Sequence, residues 1–201
     1  MINSMNTAAN NPQLPILIMV RGIPGSGKSF VASRLQQLIG PEKTVMLDPD
    51  AIDKNSPDYR TLVDELTQQD VDAKLHPYRY LRAQAYDGIT TQKAVIWNQA
   101  FTDFTGLERT IIRLRDYAEE HSIHLPVLVV EVEIDEATAK QRVAARVNQG
   151  GHDVPIEAFG RFIEQYKTFA GHGYATVTIN GNDAIDHSMS IVESALHKLD
   201  D

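Results

Sequence analysis

Cysteine is absent from the 201-residue chain. No disulfide, thiolate metal site, iron–sulfur cluster or cysteine nucleophile is therefore available to it. Long apolar runs are missing as well; none approaches the roughly 18 residues that a spanning helix needs. Cations are outnumbered, 19 Lys and Arg against 27 Asp and Glu, for a formal net charge of −8. Such a chain has no global attraction for nucleic acid or an anionic membrane, so an anionic ligand must be held by a local basic site. The first residues, Met1 to Gln13, lack the basic and apolar parts of a signal peptide. They read as a disordered tail over 1–14 on a cytoplasmic protein.

What is present is ordinary globular material, 42% hydrophobic and 23% charged. Its length suits one domain, here 15–201. Short apolar runs alternate with helical patterns, which predicts an α/β fold with a mostly parallel sheet. Strands are expected at Pro15–Arg21, Thr44–Asp48, Lys93–Asn98, Pro126–Ile134 and Tyr174–Asn180. Helices are expected from Lys28 to Ile39, after Pro57, around Leu107–Ala118, over Glu136–Asn148 and Ile156–Thr168, and from Asp183 onward. Segments 57–90 and 136–168 read as insertions above the strand ends, where open α/β sheets bind ligands.

The first strand runs into Gly22-Ile23-Pro24-Gly25-Ser26-Gly27-Lys28-Ser29, a full match to G-x-x-x-x-G-K-[ST] in its required strand–loop–helix setting. The glycines let the backbone wrap a phosphate and turn N–H groups inward. The helix start adds its positive end. Lys28 brings a full charge to the β- and γ-phosphates, and the Ser29 hydroxyl is placed for Mg²⁺. The nucleotide cradle is thus Gly22, Pro24, Gly25, Ser26, Gly27, Lys28, Ser29 and Phe30.

No Walker-B aspartate ends the third or fourth strand, and no Asn-Lys-x-Asp base-recognition loop occurs. The acid must come from elsewhere, and Leu47-Asp48-Pro49-Asp50 at the end of the second strand offers two carboxylates. A carboxylate there can accept a hydroxyl proton or hold a Mg²⁺ water. The same four residues also make a capped turn. Arg142 and Arg146 stand four apart on a predicted helix whose other stripe, Ala139, Val143 and Val147, is apolar. They can clamp transferring phosphate oxygens or form a solvated basic face. Gly150-Gly151 makes a hinge or tight turn, and His152 either touches substrate or caps it. Tyr78, Arg79, Tyr80, Arg82 and Tyr86 offer a stacking surface or an amphipathic helix with snorkelling arginines. Asn180-Gly181-Asn182 is either an adenine loop or a capped strand-to-helix turn.

With these residues in view, the chain resembles the zeta-toxin-like family of P-loop kinases from Pro15 to the last helix. The likeness rests on the Walker A loop, on Leu47-Asp48-Pro49-Asp50, on Pro57-x-Tyr59, and on Arg142-x-x-x-Arg146 followed by Gly-Gly-His-Asp-Val-Pro. It implies a P-loop kinase fold with a five-stranded sheet, a helical substrate insertion and a helical lid. It implies ATP and Mg²⁺ as cofactors, GTP being the alternative nucleotide. The expected reaction is phosphorylation of a hydroxyl on a small molecule such as a UDP-N-acetyl sugar. Asp50 would be the general base, Lys28 and Ser29 the phosphate and metal residues, and Arg142 and Arg146 the lid cations. Asp48 is a second metal candidate, and Asn98, Tyr59 and His152 are substrate candidates. An antitoxin is the partner such a family implies. The chain departs from the toxin pattern at Asp53, where that pattern has Arg, and at Asn98, where it has Glu. Two rivals stand beside this reading. One is a polynucleotide 5′-kinase, disfavoured by the acidic chain. The other is a nucleotide-binding regulatory module with little catalysis, which would not need Asp50.

Overall fold

A computed structural model describes residues 12–147 and 156–199. Five strands form one parallel sheet in the order β2-β3-β1-β4-β5. They are β1 (Ile16–Arg21), β2 (Thr44–Leu47), β3 (Ala94–Asn98), β4 (Val127–Glu133) and β5 (Ala175–Asn180). Every residue of β1 and β3 is buried. That is why these strands read as continuous apolar runs rather than alternating ones.

Alternation along the strands still separates two cores. Leu17, Met19, Val95, Trp97 and Val129 face one way, toward α3 (His76–Thr90) and α4 (Phe104–Glu120). Ile16, Ile18, Val20, Ile96 and Val130 face the other way, toward α1 (Lys28–Ile39) and α7 (Ile185–His197). A third, small cluster joins Ile23 of the glycine-rich loop to Ala139 and Val143 of α5 (Glu136–Val147) and Phe159 of α6 (Ile156–Gln165). Its members hold the candidate lid down on the loop.

Local chemistry sets the helix ends. Ser56 caps α2 (Pro57–Gln68), its oxygen accepting from the Tyr59 N–H, with Pro57 in the first turn. Pro77 sits in the first turn of α3 and starts that helix. Asp103 caps α4 by accepting from the Thr105 and Gly106 N–H groups. Asp135 accepts from the Thr138 N–H and hydroxyl at the head of α5. Those bonds hold its carboxyl below the usual value.

One expectation needs correction. Segment 57–90 is not wholly an insertion above the sheet. Leu81, Ala85 and Ile89 of α3 are buried in the main core, so α3 is the crossover between β2 and β3, and only α2 lies outside, against α3. The tail up to residue 11, the Gly150-Gly151 turn and His152 lie outside the described residues.

Candidate active site

In this order β1 and β3 are neighbours, and the connection after β1 runs to β2 while the connection after β3 runs the other way to β4. A crevice opens at such a point beyond the strands' C-terminal ends. The glycine-rich loop fills it. Gly25 has φ +84°, and a Cβ there would stand 2.5 Å from the Ala139 carbonyl oxygen, so only glycine fits beneath α5. The helix that follows is capped differently from α2 and α4. Its N-cap is Gly27, no side chain bonds the first N–H groups, and no acidic residue lies in its first turn. An uncapped, uncompensated helix start is what an anion needs.

Lys28 is largely withdrawn from water, and burial lowers its ammonium below the usual lysine value. Asp50 and Asp48 pull the other way, and Arg146 adds to the lowering. A phosphate beside Lys28 would favour the charged form again. Ser29 accepts a hydrogen bond from the Asn98 side-chain amide at 3.0 Å. The same nitrogen donates to the Asp48 carboxylate at 2.6 Å. Three chain segments thus meet at the end of β3. The other atom of that amide, Asn98 Oδ1, is buried with no partner. Ser29 and Asp48 therefore present oxygen ligands at one point, held there by the Asn98 nitrogen, which fits a hard cation such as Mg²⁺ completed by phosphate and water. Asn98, expected at the substrate end, stands beside Ser29 and Asp48, the two expected metal residues.

Asp48 also accepts from the Asp50 N–H at 2.9 Å and caps a single 3₁₀ turn, Pro49–Ala51. The capped turn and the paired carboxylates are one feature, because the turn is what presents Asp50. A cleft of about 940 Å³ opens there, lined by Lys28, Ser29, Asp50, Asn98 and Arg146. Arg79 and Arg82 of α3 and Arg109 and Arg113 of α4 line it as well.

The two candidate lid arginines part company. Arg146 lines the cleft. Arg142 instead donates to the Gly181 carbonyl at 2.9 Å and to Asn182 Oδ1 at 3.3 Å. It bridges α5 to the loop after β5. Its Nη1 is 3.9 Å from where a Cβ on Gly27 would stand, so it also overhangs the glycine-rich loop. Gly181 packs so closely that a Cβ would collide with the Ser26 carbonyl. Ser26 is fully buried, with its hydroxyl unpartnered. Phe30 is 60% exposed on α1 and lines no part of the cleft. Tyr59 is also outside it, buried edge-on against Tyr80 with ring centroids 5.1 Å apart. It ties α2 to α3.

Sequence reasoning missed two features. Arg109 and Arg113 are four apart on α4, a helix read only for its apolar stripe. The second is a fully buried ion pair, Arg21 with Glu131. Arg21 also donates twice to the Phe101 carbonyl, at 3.1 and 2.7 Å, and lies 4.4 Å from the centre of the Tyr166 ring. Glu131 accepts from the Phe169 N–H and the Thr168 hydroxyl. This network fastens the loop after β3 and the return from α6 to the sheet. Its sequence signal was a charge inside each of two apolar runs. Nearby, burial raises the Tyr166 phenol above its usual value.

The sequence matches the AAA_33 family model, described as an AAA domain, over residues 17–169. The chain belongs to this family. No curated protein matches it. Among solved structures, a gluconokinase from Sinorhizobium meliloti 1021 is 16% identical, with a TM-score of 0.58 and 94% of each chain covered. Kti12 of Chaetomium thermophilum, solved in complex with ADP-AlF3, is 12% identical with a TM-score of 0.59, covering 93% of this chain and 100% of that one. Deoxyadenosine kinase from M. mycoides is 11% identical with a TM-score of 0.52, covering 92% and 100%. At these identities the likeness is one of fold. The AAA_33 domain here has the P-loop kinase fold, and among the described residues no helix is long and apolar enough to cross a membrane.

Proposed function

We propose that this AAA_33 protein is an ATP- and Mg²⁺-dependent kinase of the zeta-toxin-like kind, moving the γ-phosphoryl group of ATP to a hydroxyl of a small molecule. The observation that carries the reading is the convergence of Lys28, Ser29 and Asp50 on a cleft of about 940 Å³. That volume leaves room for a second substrate beside the triphosphate. A module that only binds nucleotide needs neither the cleft nor the carboxylate.

Each residue then has a task. The loop amides, the uncapped start of α1 and Lys28 hold the phosphates. Ser29 and Asp48, oriented by the Asn98 amide, would hold Mg²⁺, which when bound neutralises charge on the β- and γ-oxygens. Asp50 accepts the proton of the acceptor hydroxyl. Arg146 faces the moving phosphoryl from the lid side, where a planar cation helps most as charge spreads over the outer oxygens. Arg142, tied to Gly181 and Asn182, closes the nucleotide from the base end.

The test is ATP consumption by wild type and Asp50→Asn against UDP-sugars, nucleosides, small sugars and amino alcohols. A UDP-N-acetyl sugar is the first acceptor to try, on the family likeness. An acceptor that speeds consumption in wild type and not in Asp50→Asn supports the reading. Tight ATP binding that no acceptor turns into turnover supports the regulatory module instead.

A further inference from the structure

We propose that Arg21 and Glu131 are positioning residues for phosphoryl transfer: their buried pair holds two cleft-lining segments in place beside the glycine-rich loop, and turnover depends on it beyond any effect on stability. The proposal rests on the kinase reading above. It adds two residues that do not themselves line the cleft.

The pair lies where the two segments meet the sheet. Arg21 closes β1, one residue before Gly22, and its register partner on β4 is Glu131. Both side chains are fully buried. Arg21 donates to the Phe101 carbonyl twice, at 3.1 and 2.7 Å. Residues 97–103 line the cleft without a break, and Phe101 is among them. Glu131 accepts from the Phe169 N–H at 2.6 Å and from the Thr168 hydroxyl at 2.7 Å. These two residues come just after α6, whose Ala158 and Phe162 also line the cleft. The Tyr166 ring, between them, covers the guanidinium. One ion pair therefore ties the strand that carries the P-loop to both segments.

Stability does not account for such a pair. Apolar groups of similar volume in place of a buried ion pair are often neutral or stabilising, because desolvation costs as much as the attraction returns. What they cannot supply is directed bonds. Phe101 shows where those are needed. It is buried with φ +43°, a left-handed conformation that strains a bulky residue and persists only where its surroundings fix it. The two bonds from Arg21 to the Phe101 carbonyl do the fixing. A displacement of about 1 Å in the groups that position a substrate can cost about 100-fold in rate.

Arg21→Met and Glu131→Leu, made together, keep the volume and remove the directed bonds. The full-length double variant is compared with wild type by thermal melting, by titration of a non-hydrolysable ATP analogue, and by steady-state kinetics with the acceptor found in the panel above. It should melt within about 5 °C of wild type and bind the analogue within about threefold. Its kcat should fall by about 10- to 100-fold. Arg21→Lys, which keeps the charge beside Glu131 and lacks the planar fork, should fall between the two. Wild-type kcat in the folded double variant would overturn the proposal, because the pair would then be structural only. Analogue affinity lost in proportion to kcat would overturn it too, by placing the fault in the P-loop. If the double variant does not fold, Arg21→Lys decides by the same readings. Amide hydrogen exchange needs no acceptor. With the analogue bound, residues 100–106 and 167–172 should exchange at least about tenfold faster in the double variant, with α1 unchanged. Unchanged exchange in both segments would overturn the proposal. If wild type turns over no acceptor, the kinase reading falls instead, and the exchange still judges the clamp.

Discussion

Replacing Asn98 with leucine separates stability from metal chemistry, because the two effects have opposite footing at that side chain. Leucine removes the bond to Asp48, which is charge-assisted and contributes about 1.5–3 kcal/mol, and the bond to Ser29, about 0.5–1.5 kcal/mol. It also removes a buried, unpartnered carbonyl oxygen that costs about 1–3 kcal/mol. Asp48 is half-buried and Ser29 exposed, so water replaces what each loses. The balance is a loss of about 1 kcal/mol, or a drop in melting temperature of about 2–4 °C for a chain of this size. Metal binding has no such offset. Loss of the side chain that orients Ser29 and Asp48 should raise the Mg²⁺ concentration for half-maximal activity by about 10- to 100-fold. The assay is a Mg²⁺ titration of ATP turnover beside a thermal melt. An unchanged Mg²⁺ requirement in a folded variant would refute the assignment of this cluster to the metal.

The remaining predictions use other parts of the site. Asp50→Asn should lose about 10²–10⁴-fold in kcat with ATP affinity retained, measured by steady-state kinetics and nucleotide titration. Arg146→Ala should lower kcat by more than tenfold, whereas Arg142→Ala should mainly raise the ATP KM; equal kcat losses in both would show the arginines acting as one pair. Because burial lowers Lys28 and a bound phosphate raises it again, ATP binding at pH values near that lowered value should take up a proton; binding heats that do not vary with buffer ionisation there would contradict this. Glu131→Ala should cost about 3–5 kcal/mol in chemical denaturation by stranding Arg21, while Arg21→Met with Glu131→Leu should recover much of the loss.

Local signals made much of the architecture legible from sequence alone. The range Lys28–Ile39 for the first helix matches the structure residue for residue, because a glycine stands at each end. Strands β1, β3 and β4 were readable for a different reason: burial on both faces leaves a continuous apolar run bounded by turns. What escaped depended on partners far along the chain. Arg21 and Glu131 are 110 residues apart, and nothing near either one announces the other. Arg142 and Arg146 share a helix and a spacing, yet one turns to the loop after β5 and the other to the cleft, a distinction set by where that loop lies. Helix α3 looked like an insertion because its polar half carries the arginines; its apolar stripe is the part that completes the core.

Transfer of labelled phosphate tests the central claim most directly. The protein is incubated with Mg²⁺ and ATP labelled at the γ-phosphorus, together with the acceptor panel, and the label is followed by chromatography. The account predicts label in an acid-stable phosphomonoester of one acceptor class, formed by wild type and lost in Asp50→Asn and Lys28→Ala. Label that stays in ATP, or that appears only as inorganic phosphate whatever the acceptor, would contradict it.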